Sequence, residues 1–365
     1  MLKSIKKYDK QYSQFLGIFN PYSTFPYKID STLPKFDIVA YNKNPKYQFV
    51  YDKLFVATSQ HMTAGILSET STAIYPIFIK PRYGHKTASS KDCYKISSIE
   101  ELKPFLTKKD MMWSEFVNAK ESMTDFFLIN GEIVYQLTYI YSEKQNGFAD
   151  DWKFISPANE PPTEIVEWVN RYMAGYTGPV NVQYRSTKII EVGLRFARSG
   201  MYLESTHNKT LIFTINNAWK TGVWEHKNEN EFDFKPFYSF KCWSPFPIIC
   251  LLPQHFVDVI MYCNNSMPFY EYYFEPTGKR SIIFFQFLHQ DFKQGMLTKK
   301  ILEWCMTILS LIIFCSMLVS IYLYITNNKY HYFIYLIIVL FILSLDNSLD
   351  VLNNQIVNQK QFISF

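Results

Sequence analysis

Apolar residues recur at helix spacing or alternate at strand spacing over residues 51–204, and turn-forming residues separate the segments. Residues 51–64 predict a helix stopping at Gly65, and 76–80 a short strand. Ser98 and Glu101 have capping-box spacing and open a short helix through Leu106. Residues 113–117 predict a strand. Residues 122–129 and 133–141 predict two more, joined at Asn130-Gly131, a pair suited to a tight hairpin turn. A helix over 164–174 ends at Gly175, and strands over 179–185 and 189–195 follow. Residues 1–50 are a short irregular segment broken by Pro21, Pro26, Pro34 and Pro45. Residues 205–300 form an appended, aromatic-rich region, read as α+β.

The last strand pair carries the most specific pattern. A three-residue loop, Ser186-Thr187-Lys188, sets Arg185 opposite Ile189, Gln183 opposite Glu191 and Asn181 opposite Gly193. One face then gathers Val180, Val182, Tyr184, Ile190, Val192 and Leu194. The other gathers Asn181, Gln183, Arg185, Glu191 and Arg195. A two-residue loop would shift the pairing by one and mix the faces. The polar face can hold Mg²⁺ through Gln183 and Glu191, with Arg195 for phosphate. On pattern alone, a half-exposed hairpin with a solvated face is the simpler account.

The C-terminal region changes the picture. Residues 304–328 contain no charge and are mostly apolar, long enough for a helix crossing ~30 Å of hydrocarbon. After Lys329, residues 330–345 form a second, shorter uncharged run. A buried helix pair is the alternative. The favoured expectation is a two-helix transmembrane hairpin over 301–346 with a tail at 347–365. Lys293, Lys299 and Lys300 precede the first run, which places the bulk of the chain on the cytoplasmic side of a membrane it crosses twice.

Composition narrows the function classes. The 365 residues leave room for two domains and a remainder. The 37 Lys+Arg against 32 Asp+Glu are too evenly balanced for a nucleic-acid binder. A 48% hydrophobic content argues against wholesale disorder. None of the six cysteines forms a CxxC or CxxH pair, so reduced thiols are expected rather than a zinc site. The basic N-terminus has no apolar stretch behind it to make a signal peptide.

Three blocks, in order, resemble one family. The stretch Pro76-Ile-Phe-Ile-Lys80-Pro81-Arg82-Tyr-Gly84-His-Lys86-Thr-Ala-Ser-Ser90 resembles the strand, Lys-Pro and small-residue loop of ATP-grasp proteins. Trp113-Ser-Glu115-Phe-Val117-Asn-Ala-Lys-Glu121 resembles the linker between that family's two lobes. Asn181-Val-Gln183 with Glu191-Val-Gly-Leu-Arg195 resembles its metal-binding hairpin. The closest flavour is the ATP-binding domain of carbamoyl-phosphate synthase large chains. The likeness covers residues ~50–200, so 51–204 is the expected nucleotide-binding domain.

The resemblance implies an α+β, two-lobed ATP-grasp-like fold with antiparallel sheets, and ATP and Mg as ligands. Lys80 and, from an earlier block, Lys53 would meet phosphates. The loop from Gly84 to Ser90, with Gly84 and Ser89 as its contacts, would fold its backbone over them. Glu115, Phe116 and Val117 would border the adenine, and Glu121 would take the ribose hydroxyls. Gln183 and Glu191 would hold Mg²⁺, and Arg195 would stabilise the transferring phosphoryl group. The family pattern continues Glu-x-Asn; here the Asn position is Gly193, where water or Asn181 could compensate. The implied activity is a carboxylate–amine (or thiol) ligase with an unknown carboxylate substrate, working through an acyl phosphate at a lipid bilayer. The alternatives are a catalytically degenerate, membrane-tethered nucleotide-binding module, or a structural membrane protein that keeps the fold alone.

Overall fold

The computed structural model describes residues 25–68, 73–86, 92–145, 149–226, 228–244, 254–264, 267–271, 275–276 and 282–326. Ser89 and the 330–345 run lie outside them. Two compact units divide at residue 237.

The unit Phe25–Pro236 opens with two short helices, α1 (Asp37–Lys43) and α2 (Lys53–Thr58). Asp52 caps α2 by accepting from the Leu54 N–H at 3.0 Å. The predicted helix stops six residues early. His61 turns the chain with a positive φ of 61°, and Ala64–Ile66 is strand β1. Gly65 serves packing there: a Cβ would lie 2.9 Å from the indole nitrogen of Trp113. β2 (Ile77–Pro81), β3 (Tyr94–Ile96) and β4 (Met111–Glu115) complete an antiparallel sheet of order β1-β4-β2-β3. A short helix, α3 (Ile99–Leu102), is capped by Ser98, whose hydroxyl accepts from the Glu101 N–H. Leu102 joins Ile77, Ile79, Ile96 and Trp113 in the core.

The larger sheet of this unit contains β5 (Glu121–Ile129), β6 (Glu132–Tyr141), β9 (Trp152–Ser156), β10 (Gly178–Arg185) and β11 (Lys188–Gly193). These run antiparallel in the order β11-β10-β5-β6-β9. Two-residue strands β7 (Lys144–Gln145) and β8 (Ala149–Asp150) pair separately. Helix α4 (Thr163–Tyr172) covers the apolar back, where Ile165, Trp168 and Val169 share a core with Phe126, Val180, Val182 and Tyr184. Helices α5 (Met201–Glu204) and α6 (Lys209–Thr221) follow.

The β10–β11 register keeps the expected pairs Gln183↔Glu191 and Asn181↔Gly193. Nearer the turn it differs. Arg185 pairs with Lys188 and Tyr184 with Ile189, around the positive φ of Ser186. A bulge at Ile190 absorbs the one-residue difference and restores the alternation. Ile189, not Ile190, therefore enters the core.

Asp125 on β5 ties the polar front together. Its carboxylate accepts from the Tyr139 hydroxyl at 2.6 Å, the Asn181 amide at 2.8 Å and the Ala197 N–H at 2.9 Å. Three elements are thereby fixed to one fully buried acid.

The described residues from Phe237 onward form the other unit. β15 (Ile282–His289) pairs antiparallel with β12 (Phe237–Ser244), β13 (Met267–Glu271) and β14 (Glu275–Pro276). Helix α7 is Gln254–Cys263, and α8 runs unbroken over Phe292–Thr326. Gly295, Thr298, Leu302, Met306 and Ser310 are buried at successive turns of α8. Gly295 lies against the Phe240 ring. Lys299, expected to orient a membrane span, is buried in an ion pair with Glu303, whose carboxylate also accepts the Trp243 N–H at 2.8 Å. The helix as far as residue 310 thus covers a sheet. Residues 311–326 rise only about 24 Å at ~1.5 Å per residue, short of the ~30 Å hydrocarbon core. Among the described residues, no helix is long and apolar enough to cross a membrane. This overturns the transmembrane hairpin in the expected fold, the two-span membrane localisation and its cytoplasmic orientation. A lipid bilayer partner loses its basis with them.

Burial raises the Asp125 carboxyl to about 6, against hydrogen bonds that pull it down. A native value above the unfolded one means stability is fully present below pH ~4 and falls as pH rises through 6, by about 3 kcal/mol. Asp125→Asn should remove that component. Thermal melts from pH 4 to 7 check this; equal pH slopes for both proteins would refute it.

Candidate functional site

Strand β2 ends in a Lys-Pro step, and β11 carries a bulge. The two meet. The Lys80 ammonium, buried at 7% exposure, donates to the carbonyl of the bulged Ile190 at 2.7 Å. Burial lowers its pKa to about 8, and the neighbouring Lys53 charge adds to the effect; Glu191 and Glu121 act the other way.

Lys53 starts α2. Its N–H donates to the Arg82 carbonyl at 2.9 Å, and the Arg82 guanidinium grips Asp52, the cap of the same helix. The Lys53 ammonium therefore has a fixed origin, and it reaches Glu191 at 3.3 Å. Burial raises the Glu191 pKa, but Lys53, Lys80 and Arg195 outweigh it, so the carboxyl lies below its ordinary value. Gly84 sits over this pair. A Cβ added there would come within 3.5 Å of both Glu191 Oε1 and Lys53 Cε.

Gln183 lies across from Glu191 in register, and its amide donates to the Tyr141 hydroxyl at 3.4 Å. Arg195 donates to Asp37 of α1 at 2.7 Å. Burial opposes the Arg195 charge, but Asp37 outweighs it and holds the guanidinium protonated. Asn181, two residues before Gln183 on β10, donates its amide N–H to Asp125 at 2.8 Å.

A second patch lies at the linker. Glu115 ends β4, and its N–H donates to the Thr63 carbonyl at 2.8 Å. Phe116 is half-buried under the Lys95 ammonium, 4.4 Å from the ring centre. Val117 packs against Ala57, Met62 and Met112. Glu121 is buried, and Arg185 donates to it at 3.1 Å. The same guanidinium donates to the carbonyls of Ala119 at 3.3 Å and Val117 at 3.5 Å. The electrostatic reach of Glu121 to Lys80 links the two patches.

The structure thus gathers Lys53, Lys80, Gly84, Gln183, Glu191 and Arg195 at β11, and Glu115, Phe116, Val117 and Glu121 along the linker. Ser89 is outside the described residues. Sequence reasoning missed Asp37 and the clamp role of Arg185. Asp37 gave no signal within a segment read as irregular. Arg185 did share the polar face with Gln183.

Among the described residues, no three His, Cys, Asp or Glu side chains are placed to hold a metal ion. The donors at the front of β11 are instead two carboxylates, Glu191 and Asp37, and the Gln183 amide. An all-oxygen set of this kind suits Mg²⁺, which keeps several waters.

No protein-family model matches the sequence, and no curated protein matches it. Solved structures do. An L-amino acid ligase from Bacillus licheniformis has a TM-score of 0.51 at 14% identity, covering 70% of this chain and 71% of its own. A carboxyaminoimidazole ribonucleotide synthase from Aspergillus clavatus, complexed with ATP, has a TM-score of 0.49 at 11% identity over 73% and 78%. An N5-carboxyaminoimidazole synthetase from Staphylococcus aureus, complexed with ADP, has a TM-score of 0.46 at 17% identity over 69% and 72%. At these identities the likeness bears on architecture alone. Two antiparallel sheets, meeting where a buried lysine reaches a hairpin, are that architecture in this chain: its fold is ATP-grasp-like, similar to that of the L-amino acid ligase.

Proposed function

We propose that the chain binds ATP with Mg²⁺ and acts as an ATP-dependent ligase joining a carboxylate to an amine or thiol. The carrying observation is convergence. Lys80 of the small sheet and Lys53 of α2 both reach β11, at the Ile190 carbonyl and the Glu191 carboxylate. These ammonium groups can transfer to phosphate oxygens, and Arg195 lies farther along the same strand end for the transferring group. Gly84 lets backbone approach the same place. Glu115 to Val117 offer backbone groups to an adenine edge, and Glu121 a carboxylate to the ribose. Gln183 and Glu191 would hold Mg²⁺, which when bound neutralises phosphate charge. The substrate carboxylate oxygen attacks the γ-phosphorus, and ADP leaves with the electron pair of the broken P–O bond. The amine or thiol then attacks the acyl carbon of the resulting acyl phosphate, phosphate departs, and the nucleophile loses its proton. Positioning and charge neutralisation do most of the work in such a reaction. The name of the first structural neighbour, a ligase, supports the reaction class.

A second reading is a nucleotide-binding module without turnover. Gly193 and the internal pairs Lys53–Glu191 and Arg195–Asp37 favour it. ATP-dependent thermal stabilisation, with no phosphate release against mixtures of carboxylic and amino acids, would select it.

Lys80→Ala and Glu191→Ala should each weaken MgATP binding about tenfold or more, the loss of a charge-assisted contact, with the circular dichroism spectrum unchanged. Calorimetry checks this; unaltered affinity in both variants would remove the site.

Phosphate beside Lys80 must raise its pKa, so binding takes up a proton wherever the free ammonium has lost one. ATP affinity should therefore fall as pH rises through about 8. Lys80→Arg should flatten the profile between pH 7 and 9. An equally steep fall in that variant would assign the titration elsewhere.

A further inference from the structure

We propose that Asp37 supplies the oxygen ligand that Gly193 lacks, carrying a carboxylate from α1 to the metal side of the hairpin. The inference rests on the ATP and Mg²⁺ reading above. A Cβ built at residue 193 would stand 2.8 Å from Asp37 Oδ1; the next atoms, Asp37 Cγ and Arg195 Cγ, are 3.9 and 4.0 Å away. One carboxylate oxygen thus fills the space where a side chain at 193 would begin. Residue 193 lies two positions beyond Glu191 on the same strand, so a side chain there would share its face. The absence of a side chain at 193 and the presence of Asp37 are two halves of one fit.

The carboxylate is held firmly. Tyr41, one helical turn after Asp37, stacks on His85 with ring centres 3.7 Å apart. It also packs edge-on against Tyr51, whose hydroxyl accepts the Leu194 N–H at 2.9 Å. Helix α1 is therefore fixed to the residue next to Gly193. Asp37 Oδ2 meets Arg195, and Oδ1 faces the 193 space.

The charges make the role consistent. Lys53, Lys80 and Arg195 face Glu191 and Asp37. Buried charges of either sign are costly when unpaired. In the free protein they pair with one another. When MgATP enters, the cationic groups can turn to phosphate oxygens while the two carboxylates turn to the metal, so no charge is left without a partner.

The test compares the unaltered chain with Asp37→Ala, Asp37→Asn, Gly193→Asn and the Asp37→Ala/Gly193→Asn double variant. Calorimetry with ATP, with and without Mg²⁺, gives the metal-dependent gain in affinity, and Mn²⁺ binding by paramagnetic resonance gives a readout free of turnover. Asp37→Ala should reduce the metal-dependent gain about tenfold or more, and so should Asp37→Asn, whose single amide oxygen is taken by Arg195 so that its N–H groups face the metal side, with metal-free ATP affinity changed far less. Gly193→Asn alone should melt lower, because its Cβ meets Asp37. The double variant should recover both melting temperature and metal-dependent gain. If Asp37→Ala only melts lower and keeps the full metal dependence, Asp37 is a structural partner of Arg195 and the inference is overturned. Should Asp37→Ala fail to fold, Asp37→Asn and the double variant decide by the same criterion. A chain that binds ATP with no metal dependence overturns the inference alone; one that binds no MgATP overturns the nucleotide reading as well.

Discussion

Lys80 is an ammonium group buried in protein, and it must be met by oxygen. Much of the architecture follows from that demand. The carbonyl that meets it belongs to Ile190, the residue set out of register in β11. The irregularity is thus the contact through which one sheet addresses the other. Lys53 and Glu191 make a second contact beside it, from a helix whose first turn is pinned by Asp52 and Arg82.

The site is close to self-neutral. Each cationic side chain at β11 has an oxygen partner supplied by the chain itself, and each carboxylate there has a cationic one. Such an arrangement lets a polar cluster fold without ligand, at the cost that any phosphate must exchange partners on entry. The Asp125 hub acts differently. Its acceptors are saturated by Tyr139, Asn181 and Ala197, and it holds strands together rather than facing a ligand.

Part of this was legible in the residues. Alternation over 179–195 places Gln183 opposite Glu191, and a strand-end Lys-Pro step places Lys80. The turn was not legible, because a two-residue reversal and a compensating bulge leave the distant register as a three-residue loop would. Asp37 was hidden because its partner lies 158 positions away and its helix has seven residues among proline breakers. The strand at Ala64–Ile66 was absorbed into a helix, since the apolar pattern runs on through the turn. Helix α8 misled through composition. A charge-free run looks the same whether one side meets lipid or a stripe from Gly295 to Ser310 meets a sheet; the buried Lys299–Glu303 pair shows which side of that choice its first half takes.

Arg185 stands at the end of β10, beside the hairpin turn, yet its guanidinium spends its donors on Ala119, Val117 and Glu121. It acts as a rivet between the linker and the hairpin. Any rocking of one against the other must first break this three-point fastening. The linker and the hairpin are therefore geared together, and a shift begun at either is felt at the other.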